Sequence, residues 1–163
     1  MPATALVLIA SASADEVADF KKWYTAGLPQ MKKAMESKNL AFFEKSSTAD
    51  FTYTTAGQTA KKKDAMAGLK SMFDMTKSLK YSCKITGFKK TKNGIVVNLT
   101  NHFEMTMMPG PDKKTHLMVT DQASQETWKK SGKTWLLTNI TDIGKGKSTM
   151  DGKPFDPSQM GGG

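Results

Sequence analysis

The chain contains no arginine. All 24 of its basic residues are lysine, set against 15 aspartates and glutamates, for a net charge of +9 over 163 residues. Arginine is the residue that reads phosphate and guanine bidentately, whereas lysine is a solvated point charge. The basic balance therefore reads as a lysine-rich surface rather than a specific nucleic-acid interface, with weak attraction to anionic envelope polymers or lipids as the alternative. A single cysteine, Cys83, excludes an internal disulfide. Two histidines, His102 and His116, are all that could activate it, and Cys83 lies in an alternating run, so it reads as a buried, inert thiol. No Cys/His spacing supports zinc, so neither a metal nor a cofactor is expected. No apolar run approaches the roughly 20 residues of a membrane-spanning helix.

What is present is a dense block of β-formers. Asn93–Met108 and Thr115–Lys129 are joined by Pro109-Gly110-Pro111-Asp112-Lys113-Lys114, and Lys133–Ile143 follows the turn Lys130-Ser131-Gly132. Runs rich in Val, Ile, Thr, Leu, Trp and Phe with Gly or Pro at each junction describe an antiparallel meander. Upstream, Leu79–Lys89 reads as a strand leading into the turn Thr91-Lys92-Asn93-Gly94. Asp50–Thr55 is a short strand. Val17, Phe20, Tyr24, Leu28, Met31 and Met35 step by three and four, which predicts a helix over Asp15–Ser37 that Pro29 should kink or divide. Asn39 can cap a second, short helix to Ser46. A third runs from Thr59 or Ala60 to about Ser78, opening on Lys61-Lys62-Lys63 where the helix dipole disfavours cations. That triplet is the best candidate anion patch. Helices first and strands after them indicate α+β, with helices on one face of a mostly antiparallel sheet. Strands this long must twist or bulge, and a strongly curved sheet closed by helices on its concave side leaves a conical cavity.

The ends read differently. Residues 1–14 hold a short apolar core, Ala5–Ala10, and the small-x-small pattern Ala12-Ser13-Ala14, so they read as a signal peptide remnant without its basic start. This predicts an exported, periplasmic or extracellular protein whose mature chain begins at Asp15, the alternative being a frayed cytosolic N-terminus. Residues 15–143 form the domain. Residues 144–163, rich in glycine, read as a poorly ordered tail.

Four stretches carry a resemblance. Asn39-Leu40-Ala41-Phe42-Phe43 precedes Thr48-Ala49-Asp50-Phe51-Thr52-Tyr53; Gly57-Gln58 precedes Lys63-Asp64-Ala65; Gln125-Glu126-Thr127-Trp128 ends a long strand; and Ser131-Gly132-Lys133-Thr134-Trp135-Leu136-Leu137 opens the last one. In order and spacing this resembles the nuclear transport factor 2-like superfamily, in particular its SnoaL-like polyketide-cyclase and calmodulin kinase association-domain-like branches. The resemblance covers roughly Asp15–Ile143. It implies a cystatin-like curved sheet with a conical cavity and frequent homodimers, and it leaves function open among isomerases, dehydratases, cyclases and non-catalytic binding or assembly modules.

Alternation divides the first long strand into two faces: Ile95, Val97, Leu99, Asn101, Phe103, Met105 and Met107 against Val96, Asn98, Thr100, His102, Glu104 and Thr106. The apolar set is taken as inward. If Met107 lies opposite Leu117, Asp121 faces Phe103, and Asn101 and Asp121 become polar groups in an apolar lining with Tyr53 and Trp135 nearby. That set, Tyr53, Asn101, Phe103, Asp121 and Trp135, is the candidate ligand site. Asp121 is a candidate general base, and a slip of one residue would put His102 and Glu104 in its place. Met105, Met107, Met108, Met118 and His116 crowd one hairpin end, where thioethers could bind Cu(I) but more commonly fill a core. Gly144–Thr149 imitates a phosphate loop but lacks its first glycine, where Thr141 stands, and any following helix; the sequons at Asn98 and Asn139 lie within strands. The leading expectation is an exported, non-catalytic protein that holds a small, partly apolar molecule. The rivals are an isomerase or cyclase using Asp121 or His102, and a dimeric assembly module whose cavity is filled by its own side chains.

Overall fold

The computed structural model describes residues 4–157. In chain order the elements are α1 (Thr4–Glu36), α2 (Leu40–Ser46), β1 (Ser47–Thr55), β2 (Gln58–Lys61), α3 (Lys62–Met75), β3 (Thr76–Thr91), β4 (Gly94–Met107), β5 (Leu117–Ser131), β6 (Thr134–Met150) and β7 (Lys153–Pro154). The sheet runs β2-β1-β6-β5-β4-β3, with β7 added to β6. Only β1 and β6 pair in parallel among these ladders. Register shifts interrupt β3 against β4 between Ile85 and Gly87, and β5 against β6 at two places. Each extra residue bends its strand and deepens the twist, which is how strands of 14 to 17 residues curve around the helices instead of lying flat.

The expected α+β class and curved, mostly antiparallel sheet are both present. Several element limits differ from expectation. The leader expected at residues 1–14 lies partly outside the described residues, and α1 begins at Thr4 rather than Asp15. Pro29 stands inside one continuous helix rather than dividing it. The chain does not lose order at Gly144: β6 pairs with β5 out to Met118↔Met150, and Thr149↔Pro154 pairs it with β7. The glycines read as loop residues are needed in the strand. A Cβ on Gly146 would stand 2.3 Å from the end of the Gln122 side chain and 3.0 Å from the Asp121 carbonyl, so glycine lets β6 lie against β5 there without moving either. Gly161–Gly163 lie outside the described residues.

Two hydrophobic clusters hold the helices to the sheet. In the first, Phe20 of α1 is fully buried against Ile95, Val97, Leu99, Trp128 and Trp135, with the Trp135 ring centroid 4.8 Å away and that of Tyr24 5.6 Å away. Packed rings of this kind contribute about 0.5–1.5 kcal/mol per pair beyond area burial. The second holds Phe73 of α3 with Leu79, Met105, Met107 and Met118, and Leu40, Phe43 and Met35 pack onto it. Chain reversal between α1 and α2 uses Lys38 at φ 56°, followed by Asn39, whose side chain accepts from the Phe42 N–H at 3.3 Å. This is an N-cap, as expected.

Candidate functional site

The inward face of β4 is the one expected: Ile95, Val97, Leu99, Met105 and Met107 are all buried. Its pairing with β5 is displaced by one residue from expectation. Thr106, not Met107, lies opposite Leu117, so Asp121 faces His102 rather than Phe103. A shift of one residue moves a side chain to the other face of a sheet. Asp121 is therefore outside the cone and half exposed, and cannot be a general base within it. Asp121 thus does not belong to the ligand site expected inside the cone. His102 shares that outer face: its Nδ1 is 2.7 Å from Asp121 Oδ1, and its Nε2 is 3.6 Å from Glu104. The Asp121 hydrogen bond raises the imidazole above its ordinary value.

Between the two hydrophobic clusters, the inward face carries polar side chains from five adjacent strands. Tyr81 on β3 donates its hydroxyl to Asn101 Oδ1 on β4 at 2.8 Å. Asn101 Nδ2 donates to Ser124 Oγ on β5 at 2.9 Å. Ser124 stands opposite Asp142 on β6, and Asp142 Oδ2 accepts from the hydroxyl of Tyr53 on β1 at 2.6 Å. Burial, and then the Asp142 carboxylate, push the Tyr53 phenol up; burial, then Cys83 and Glu126, do the same for Tyr81. Tyr81 and Ser124 are buried, whereas Tyr53, Asn101 and Asp142 are partly accessible.

Beside this belt lies Glu126, which is 6% exposed. Its Oε2 accepts from the Tyr24 hydroxyl at 2.8 Å and from Trp128 Nε1 at 2.9 Å. Burial raises its carboxyl above the usual range, and the two donors work against that shift. Cys83 sits nearby, its thiol also pushed up by burial, as an inert thiol requires.

Of the expected site residues, Tyr53 and Asn101 belong to the belt. Phe103 flanks it, with its ring centroid 5.1 Å from that of Tyr81. Trp135 is packed beneath Phe20 at the closed end, so its role is packing rather than contact with a ligand. Sequence reasoning missed Tyr24, Tyr81, Ser124, Glu126 and Asp142. The strict alternation Ser124, Glu126, Trp128 was the available signal, since it places Glu126 on the same face as a tryptophan. No group of three or more His, Cys, Asp or Glu side chains among the described residues could hold a metal ion. The methionines named for copper divide: Met105, Met107 and Met118 are buried in the second cluster, and His116 is engaged on both ring nitrogens by Asp151 and Asp112, at 2.6 and 2.8 Å. No helix among the described residues is long and apolar enough to cross a membrane.

The chain matches no family model and no curated protein sequence. Solved structures do resemble it. A nuclear transport factor 2-like superfamily protein from Salmonella enterica serovar Typhimurium aligns with a TM-score of 0.60 at 13% identity, over 78% of this chain and 92% of that one. A scytalone dehydratase-type protein from Novosphingobium aromaticivorans aligns at 0.64 and 8% identity, over 83% and 90%. A type 2 hexachlorocyclohexane dehydrochlorinase, LinA, aligns at 0.54 and 10% identity, over 92% and 95%. At such identities the likeness concerns the fold, and it agrees with the curved, mostly antiparallel sheet and its three helices: this chain has the nuclear transport factor 2-like fold.

Proposed function

We propose that the protein holds a small, partly apolar molecule in its cone without transforming it. The observation carrying this reading is the polar belt, five side chains from five strands set between two apolar clusters. Apolar walls with a few convergent polar groups suit a ligand with a hydrocarbon body and one hydroxyl or carbonyl. Asn101, Asp142 and Tyr53 are the partly accessible members, and they would address that polar group. Binding is favoured over catalysis because each interior carboxyl already holds protein donors: Glu126 has Tyr24 and Trp128, and Asp142 has Tyr53. The pair His102–Asp121, which an acid–base mechanism would need inside, lies on the outer face. Export remains part of the proposal, resting on Ala12-Ser13-Ala14; an intact mass beginning at Asp15 in protein from its own cells would establish it.

A second reading, the assembly module, draws on the first cluster, where Phe20, Tyr24, Trp128 and Trp135 fill the closed end themselves. Native mass spectrometry of protein purified from its own cells separates the two. A small mass lost on denaturation supports the binding role, and Asn101→Ala and Tyr53→Phe should then diminish that mass. An empty protein that shows no thermal shift with a panel of apolar carbonyl compounds would remove the binding reading and leave the module, for which the same spectrum reports the oligomeric state.

A further inference from the structure

We propose that a second site, distinct from the cone, lies along α2 and α3 and binds a single-chain anionic amphiphile of the fatty-acid class. Two open concavities adjoin there. One, about 740 Å³, has Leu40, Ala49, Met66 and Ala67 among its lining, with Glu44, Lys62, Lys63 and Lys70. The other, about 490 Å³, is lined by Leu40, Phe73 and Met108 among others, with Lys38, Lys70, Lys77 and Asp74. Leu40 and Lys70 line both, so they form one groove.

Charge and apolarity in the groove point to the occupant. Five lysines face two carboxylates, and one of those, Asp74, is already paired with Lys70 at 2.6 Å. Lys62 Nζ is held by the carbonyls of Glu44 and Ser47 at 2.7 and 2.9 Å. This places an ammonium on the carbonyl end of α2 and accounts for a cation at the start of α3, which the dipole of α3 alone would disfavour. Lys38 Nζ is likewise tied to the Thr76 carbonyl. Lys63 and Lys77 have no partner among the described residues, and they stand in different halves of the groove. Apolar surface accompanies them. Met75 and Met108 are 45% and 50% exposed, and the Met108 N–H bonds to the Met75 carbonyl at 2.8 Å beside the second half. Exposed apolar surface rimmed by polar groups, here mainly cationic, marks an interaction site. A carboxylate on Lys63 or Lys77, with its chain along Leu40 and Met108, satisfies both features. Lysine suits this as a point charge in a way that it does not suit bidentate readout.

The test is isothermal titration calorimetry of the full chain with dodecanoate below its micellar concentration, with dodecanol as the neutral analogue. Saturable binding of dodecanoate is expected, weakened about tenfold in the double variant Lys63→Glu, Lys77→Glu, since whichever lysine holds the carboxylate is replaced by a like charge. Dodecanol should bind about tenfold more weakly than dodecanoate. Asn101→Ala in the cone should leave this titration unchanged. The proposal is overturned by absence of saturable binding, by equal affinity for the alcohol, or by loss with Asn101→Ala but not with the lysine double variant. Both lysines are on the surface, and an unchanged circular dichroism spectrum checks that the double variant is folded.

Discussion

Replacing Glu126 tests the interior chemistry most directly. Both of its donors, Tyr24 and Trp128, fall on one oxygen, Oε2, which leaves Oε1 to carry a proton. Burial raises this carboxyl, so the neutral acid is the form the fold prefers. Glu126→Gln copies that form: the amide oxygen takes the place of Oε2 and keeps both hydrogen bonds. Glu126→Leu instead strands a hydroxyl and an indole N–H on residues that are 4% and 6% exposed. Each stranded donor costs about 1–3 kcal/mol. Burial of the leucine returns about 1.5–3 kcal/mol, so the net loss is about 2 kcal/mol. The pH dependence has a definite sign. A carboxyl whose folded value is raised holds its proton more tightly in the native state, so its contribution is complete below the ordinary glutamate range and is lost as pH rises through the folded value. Urea unfolding followed by tryptophan fluorescence should therefore show Glu126→Gln close to the wild type at pH 4 and more stable than it at pH 8. Taking the difference between the two proteins cancels every other titrating group. The reasoning fails if the glutamine variant loses as much stability as the leucine variant, or if the difference between wild type and Gln does not change with pH.

Other outcomes follow from the same geometry. His116 is held by Asp151 and Asp112, which raise its imidazole, Asp151 having the larger effect. Its contribution is present below the ordinary histidine range and lost as pH rises through the raised value. An NMR titration should find His116 above the ordinary histidine value, and in Asp151→Asn the imidazole should move back toward it. Asp121→Asn should lower the titration of His102 while changing unfolding stability by no more than about 1 kcal/mol, because the pair is largely solvated. Gly94→Ala should destabilise by about 2 kcal/mol or more: φ is +129° and the added Cβ would stand 2.2 Å from the Trp128 carbonyl. Phe20→Ala should cost about 3–5 kcal/mol in denaturant unfolding, since its fully buried ring meets Trp135, Tyr24 and Trp128.

Local patterns in the chain reveal faces better than partners. The inward set on β4 was legible because apolar residues recur there with period two over a long strand, and no other face could be buried. The register against β5 was not legible. The connection Met108–His116 contains two prolines and a glycine and does not dictate which residue pairs first, so Met107 and Thr106 are equally good partners for Leu117 on local grounds. The observed pair is Thr106↔Leu117, and that single step carries Asp121 out of the cone to His102. Asp142 and Glu126 were hidden for a related reason. Each is a charged residue in a strand, which reads as solvent-facing until its alternation partners are known, and the bulge between Thr127 and Trp128 breaks the simple alternation across to β6. The extension of β6 past Gly144 was hidden because composition marks glycine as a loop former, whereas the pairing that carries β6 to Met118↔Met150 is tertiary.

The belt is difficult to account for by stability alone. A buried hydrogen bond adds only about 0.5–1.5 kcal/mol net, and exchanging both partners for apolar groups of similar shape is often neutral. Fold demands alone would allow Phe, Leu or Val at Tyr81, Asn101 and Ser124, as at Leu79, Leu99 and Met118 on the same strands and the same face. Instead the polar side chains interrupt the two apolar clusters at one level on five strands, and every buried polar side-chain atom among the described residues finds a partner. These hydrogen bonds hold the belt side chains in place. Asn101 in particular spends one acceptor on Tyr81 and one donor on Ser124. Its amide therefore presents a fixed remaining donor and lone pair to anything entering beside it. A fixed amide between two hydroxyls is a means of orienting a guest. Asn101→Ala leaves the buried Tyr81 hydroxyl and Ser124 without that partner, at about 1–3 kcal/mol each, so loss of uptake at a temperature where the variant is still fully folded is the result that would distinguish that role from packing.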